Sequence, residues 1–249
     1  MSEKVSFTQK ITRLSVIARS ISITLRVCIR AIFGIYFGKF DRDVGDRILR
    51  LWSKKLLDII QLKFTVHGNT DTPFKPHEKY IIVSNHQSYY DIPLTFCAFH
   101  QSIRMWAKME LFKVPILGKA MRIGEFIPID RNRNKTNQIL EETKKKMESG
   151  IIIWIAPEGT CSKDGKLLPF KKGGFLLALQ MGAKILPVGI TGSRFALPAK
   201  TINFTKQQHA DIRIGEIIDS ADYDLQSIEK LRDDVQNAVS KLVKVTRNK

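Results

Sequence analysis

Between residues 80 and 214 short apolar runs alternate with longer stretches of helical spacing, and no other feature of the chain restricts its fold so tightly. The runs at 80–83, 103–107, 125–129, 151–155, 185–190 and 212–214 predict strands. The stretches 91–99, 113–122, 135–149, 174–181 and 227–244 predict helices. Strands that are apolar throughout, rather than at every second residue, are covered on both faces. The expected fold is therefore α/β, with a central, mostly parallel sheet flanked by helices. A chain of 249 residues, 43% hydrophobic and 26% charged, has the length and composition for one such domain with an appendage, and disorder throughout is excluded.

The appendage precedes the alternating region. From Ser20 to Gly38 the chain is almost wholly apolar, yet it carries Arg26 and Arg30. At 100° per residue Arg19, Arg26 and Arg30 fall within about 40° of one another, so one basic stripe runs along an apolar cylinder. Such a helix suits the membrane interface, with guanidinium groups reaching phosphates, better than a span of the bilayer. The repeated charge and the lack of a small-residue cleavage site also argue against a signal peptide. Val44, Ile48, Leu51, Trp52, Leu56 and Ile59 recur at helical spacing, which predicts a second amphipathic helix over 44–60 after a polar turn at 38–43. Residues 1–62 are thus expected to form a two-helix membrane-docking motif, a pair of core helices being the other reading, and residues 63–249 the α/β domain.

Lys and Arg number 41 against 24 Asp and Glu, a net charge of +17, so an anionic partner is expected: a phospholipid surface, a phosphorylated substrate or a nucleic acid. No nucleic-acid-binding signature accompanies the charge, and an Arg-striped apolar helix has no place in that reading. Three widely spaced cysteines, Cys28, Cys97 and Cys161, fit a reducing compartment and neither a disulfide framework nor a zinc site. The remaining histidines form no ligand cluster around His86, so neither a metal nor a cofactor is expected.

Four short segments sit where such a fold puts its chemistry, at strand carboxyl ends. The first strand runs into Asn85-His86-Gln87-Ser88-Tyr89-Tyr90-Asp91. Across a turn into a helix, Asp91 can accept from one ring nitrogen of His86 and leave the other as a base. Asp91 as a helix cap, or the two residues as metal ligands, fits the same spacing. The strand at 151–155 delivers Ala156-Pro157-Glu158-Gly159-Thr160, with Glu158 and Thr160 presented at the sheet's end. The stretch 124–131 delivers Asp130 and Arg131, a residue able to bind phosphate bidentately or to close a local salt bridge. Pro187 interrupts the strand at 185–190. No Gly-x4-Gly-Lys-Ser/Thr phosphate loop is present.

Taken in order, these four segments resemble the motifs of the glycerolipid acyltransferase family, whose bacterial type member is a 1-acyl-sn-glycerol-3-phosphate acyltransferase. The likeness covers roughly residues 65 to 220: Asn85-His86 with Asp91, then Phe126 to Arg131, then Pro157-Glu158-Gly159-Thr160, then Leu186-Pro187-Val188. Two further stretches, 107–111 and 168–173, are similar to the family. The resemblance implies transfer of a fatty acyl group from acyl-CoA or acyl carrier protein to the sn-2 hydroxyl of lysophosphatidate, with no cofactor beyond the thioester co-substrate. It implies His86 and Asp91 as the catalytic pair and Lys108, Arg131, Glu158, Gly159, Thr160 and Pro187 as substrate-binding residues. Membrane phospholipids would be partners and the cytoplasmic face of a membrane the location, through a monotopic or single-anchor attachment.

One departure stands out, because Cys161 replaces the arginine that usually follows Glu-Gly-Thr in the family. Arg131 and Lys108 are then left to bind the acceptor's phosphate, or the acceptor is a lysolipid without one, such as a lyso-aminolipid. An already activated thioester needs no enzyme nucleophile, so Cys161 is expected to be a bystander. A metallohydrolase and a non-enzymatic basic membrane-binding protein are the remaining alternatives.

Overall fold

The computed structural model describes residues 7–70, 74–75, 77–129 and 136–244. Two helices come first, α1 (Phe7–Tyr36) and α2 (Arg42–Ile60). Asp41 caps α2 by accepting from Val44 N at 2.8 Å, and Gln61 closes it in the left-handed region at φ 54°. Then follow β1 (Lys63–His67), β2 (Tyr80–Ser84), α3 (Asp91–Ala98), β3 (Ile103–Lys108), α4 (Met109–Lys113), α5 (Leu117–Ile123), β4 (Ile127–Ile129), α6 (Thr136–Glu148) and β5 (Ile152–Ile155). The chain ends with α7 (Gly173–Met181), β6 (Lys184–Thr191), α8 (Ser193–Ala196), β7 (His209–Ile214), β8 (Ile218–Asp219) and α9 (Ile228–Lys244).

Among the described residues one eight-stranded sheet runs in the order β1-β7-β6-β2-β5-β3-β4, with β8 on β6. From β6 to β4 every pairing is parallel; β7 and β8 are antiparallel to β6, and β1 is parallel to β7. Every residue of β2 and β5 is buried, which is why both read as unbroken apolar runs. Alternate side chains go to opposite faces. Ile82, Trp154 and Leu186 meet Leu57, Leu94 and Phe99 from α2 and α3 and their ends, while Ile81, Ile153 and Ile185 meet Phe175, Leu231 and Val235 from α7 and α9. The chain steps from β2 outward to β3 and β4, returns to place β5 beside β2, and sets β6 on β2's other side. The carboxyl ends of β5, β2 and β6 therefore lie side by side at the switch in strand order, where open α/β sheets bind ligands.

Several boundaries differ from the sequence expectation for local reasons. The first helix begins at Phe7 rather than near 20. The single helix expected over 113–122 is two, broken at Val114-Pro115-Ile116, where Ile116 takes φ 65°. The strand expected from 125 starts at Ile127, because Glu125 turns at φ 62° and gives its carboxylate to Arg42 at 2.8 and 3.0 Å. β1, β8 and α8 were not expected. Residues 130 and 131 of the expected second segment lie outside the described residues.

A buried ion pair ties α2 to the sheet. Arg104 of β3 is 1% exposed and donates to Asp46 of α2 at 2.6 Å, and Nε of Arg104 donates to the Gly124 carbonyl. Removing one member leaves a charge buried without its partner, at a cost of about 3–5 kcal/mol. Arg104→Ala is expected to lower the melting temperature by roughly 10 °C, read by calorimetry. An unchanged melt would show that solvent reaches Asp46.

Candidate active site

His86 lies in the loop between β2 and α3, held at both ends of its main chain. Its N–H donates to Glu158 Oε1 at 2.7 Å, and its carbonyl accepts from Ser162 N at 2.8 Å. Beside it, Asn85 anchors the loop to β6 by donating from Nδ2 to the Ile190 carbonyl at 2.8 Å and accepting from Ile190 N at 2.7 Å. Ser88 Oγ adds a bond to the Leu197 carbonyl at 2.8 Å. The loop thus spans the ends of three neighbouring strands and has little freedom.

Asp91 opens α3 and is wholly buried. Its Oδ2 lies 2.9 Å from His86 Nδ1 and also accepts from the main-chain N–H of Gln87 at 2.7 Å and of Ser88 at 2.9 Å. Of the readings left open by the spacing, the geometry has the contact between Asp91 and the ring; the cap of α3 is Tyr90, with no side-chain bond, and Asp91 instead closes the loop before the helix through Gln87 and Ser88. A carboxylate fixed by two amides cannot swing away, so Nδ1 carries the proton and Nε2 faces the site.

The segment after β5 forms the opposite wall. Glu158 is 3% exposed, and Leu168 N donates to its second carboxylate oxygen at 3.0 Å. Both oxygens are spoken for by main chain, so Glu158 braces the His86 loop against the 167–172 segment and presents no free carboxylate. Burial pushes its pKa up to about 7 in spite of these two donors. Gly159 takes φ 70°, a conformation other residues adopt only with strain, and a side chain there would also push aside the flexible Lys171 ammonium 2.8 Å away. Thr160 is exposed beside it.

Cys161, expected to be a bystander to the chemistry, stands directly against His86. Its sulfur lies 3.0 Å from His86 Nε2, on the very nitrogen a base would use. Its place next to Thr160 in the third motif was visible; the distance to His86 was not, because the two residues are 75 positions apart. Burial works against protonating the His86 ring, but the bonds to Asp91 and then to Cys161 outweigh it and lift the pKa to about 10.

The other expected residues are spread more widely. Lys108 is exposed at the carboxyl end of β3, in register with Ile129, and so stands next to the strand that leads to Arg131. Pro187 is buried within β6 opposite Val83, short of the strand's end, and takes part in none of the cluster's hydrogen bonds. Next to α3 lies an apolar cavity of about 270 Å³, walled by Cys28 and Ala31 of α1, Ile48 and Trp52 of α2, Ile92 and Phe96 of α3, and Met105 of β3.

The chain is similar to known proteins. The family model described as Acyltransferase matches residues 63–191. A chloroplastic 1-acyl-sn-glycerol-3-phosphate acyltransferase of Brassica napus, BAT2, is 30% identical over 189 residues, 73% of this chain and 52% of that protein. The alpha 1-acyl-sn-glycerol-3-phosphate acyltransferase of Mus musculus is 27% identical over 196 residues, 78% of this chain and 67% of that protein. The crystal structure of the 1-acyl-sn-glycerophosphate (LPA) acyltransferase PlsC from Thermotoga maritima superposes with a TM-score of 0.72 at 27% identity, covering 94% of this chain and 98% of that one. The chain spans about half the length of the plant relatives it matches.

Proposed function

The chain belongs to the acyltransferase family, and from that premise we propose that it transfers a fatty acyl group from acyl-CoA or acyl carrier protein to the sn-2 hydroxyl of 1-acyl-glycerol-3-phosphate, giving phosphatidate in phospholipid biosynthesis. The observation that carries this reading is the Asp91–His86 pair, 2.9 Å apart at the carboxyl end of β2, with Nε2 turned to the site. His86 takes the hydroxyl proton as the oxygen attacks the thioester carbonyl, and Asp91 stabilises the imidazolium. The proton then passes to the departing thiolate. No covalent intermediate and no cofactor take part, because the acyl group arrives activated.

Arg131, together with Lys108, holds the acceptor's phosphate in this reading. Gly159 and Thr160 shape the same pocket, Glu158 supports it from behind, and Pro187 belongs to the acyl or donor side. The apolar cavity next to α3 suits an acyl chain, since its lining is carbon-rich on every side.

Residues 1–62 serve as the membrane-docking unit and residues 63–249 as the acyltransferase domain. No helix among the described residues is long and apolar enough to cross a membrane. One side of α1 packs on α2 and α5, with Val16 and Ala31 buried. The opposite side exposes Ile11, Leu14, Ile21, Leu25, Ile29, Phe33 and Tyr36 within an arc of about 120°, and Arg19, Arg26 and Arg30 border it. An apolar face with a cationic border suits attachment to the cytoplasmic face of a membrane, with anionic phospholipids as partners. Nucleic acid has no part in this reading.

A second acceptor is favoured by one observation, a cysteine beside His86 where the family usually has an arginine. A lyso-aminolipid would need no cation there. The test offers the purified protein an acyl thioester with lysophosphatidate or with phosphate-free lysolipids. Phosphatidate formation is expected; turnover of the phosphate-free panel alone would transfer the assignment to the second acceptor, and turnover of neither would overturn both.

A further inference from the structure

Direct transfer leaves a difficulty that the position of Cys161 resolves. His86 Nε2 must be ready to take a proton from an alcohol, yet water is smaller, far more abundant and able to occupy the same place. With the donor bound and the acceptor absent, a water on Nε2 would be activated against the thioester carbonyl. Its oxygen would attack the carbonyl carbon, Nε2 would take its proton, the carbon–sulfur bond would break, and the thiolate would leave with that proton. Fatty acid and free thiol would result, and the activated acyl group would be lost.

We propose that Cys161 is a positioning residue that keeps water off the base: its sulfur, 3.0 Å from Nε2, occupies the place of the attacking oxygen until an acceptor hydroxyl displaces it. The main chain on either side of the contact is clamped, so without an acceptor the sulfur rests against Nε2, and only its side chain has to turn to make room. Glu158 grips the His86 N–H at 2.7 Å and Ser162 N grips the His86 carbonyl at 2.8 Å. Cys161 lies between those grips and is 8% exposed. A thiol suits the task better than a hydroxyl, being larger and a weak hydrogen-bonding group that recruits little water of its own. A lysolipid arrives with the binding energy of its head group and chain and can displace the sulfur; a water molecule cannot.

The inference rests on the acyl-transfer reading, and its test separates the two. Acyl-thioester hydrolysis without acceptor and transfer to lysophosphatidate are measured for the unmodified protein, Cys161→Ala and Cys161→Ser, with His86→Ala as background. The ratio of hydrolysis to transfer is expected to rise about tenfold in Cys161→Ala, where a water fits beside Nε2. In Cys161→Ser it is expected to rise about threefold, since the oxygen is smaller and stands further back. Should Cys161→Ala fail to fold, the serine variant carries the test. A purely structural role would lower both rates together, and an unchanged ratio in the folded variants overturns the proposal while leaving transfer intact. Absence of transfer in the unmodified protein overturns the acyl-transfer reading instead.

Discussion

His86→Ala is expected to reduce acyl transfer by about three orders of magnitude, with the fold retained. The estimate follows from the ~10²–10⁴ that a positioned base contributes. His86 has its main chain held by Glu158 and Ser162, so the loop keeps its shape when the ring is removed. Asp91→Asn should lose a comparable factor for a different reason. The carboxylate accepts from His86 Nδ1, Gln87 N and Ser88 N at once, and an amide turned to satisfy the two main-chain donors supplies no charge to the imidazolium. The pH profile gives a second readout. With the His86 pKa lifted to about 10, the ring is protonated across the neutral range, and only the deprotonated form can act as base. Activity should therefore rise with pH, about tenfold per unit, well above the 6.5 of an ordinary histidine. Asp91→Asn removes a cause of that elevation and should move the limb downward. Turnover of His86→Ala within tenfold of the unmodified protein would remove His86 from the chemistry, and a limb near 6.5 would show that the Asp91 contact does not persist in solution.

The parts of this site that could be read from the chain are those made by one connection. His86 and Asp91 belong to a single strand–loop–helix passage, and their pairing needs only that the strand end and the helix begin where the apolar pattern changes. The buried strands were legible for a related reason: coverage on both faces removes polar residues, so β2 and β5 stand out as Tyr80-Ile81-Ile82-Val83 and Ile152-Ile153-Trp154-Ile155. Strand order is a different kind of information. That β5 lies next to β2 is decided by crossovers, and only that adjacency puts Cys161 on His86 and Glu158 beneath the loop. The partners of Glu158 could not be read either, because they are main-chain amides, which every residue but proline possesses and no pattern announces. Arg104 poses the same problem from inside a strand, where nothing in Ile103-Arg104-Met105 distinguishes a solvent-facing guanidinium from one paired with Asp46 at 2.6 Å. β1 went unseen because Lys63-Phe64-Thr65-Val66-His67 alternates exposed and half-buried residues on an edge, and its parallel partner β7 lies more than a hundred residues away.

Replacing Leu14, Ile21 and Leu25 together by glutamate is expected to weaken binding to anionic vesicles by two to three orders of magnitude. These side chains are 67%, 62% and 43% exposed, so each has apolar surface left for an acyl phase to cover. Full burial of a leucine or isoleucine contributes ~1.5–3 kcal/mol, and about half of that for each of three residues comes to roughly 3.4 kcal/mol at the middle of the range. Each tenfold step in partition corresponds to about 1.4 kcal/mol, which gives the stated range. Three carboxylates facing an anionic surface add to the loss, and they also oppose the field of Arg19, Arg26 and Arg30. The fold should survive, since the buried side of α1, through Val16 and Ala31, is untouched and Trp52 Nε1 still donates to Thr24 at 3.0 Å. Vesicle sedimentation over a range of salt separates the contributions: the apolar part persists at high salt, whereas the arginine part is screened. If the triple variant sediments with vesicles as the unmodified protein does, the face is not lipid-facing, and the first two helices serve the fold alone.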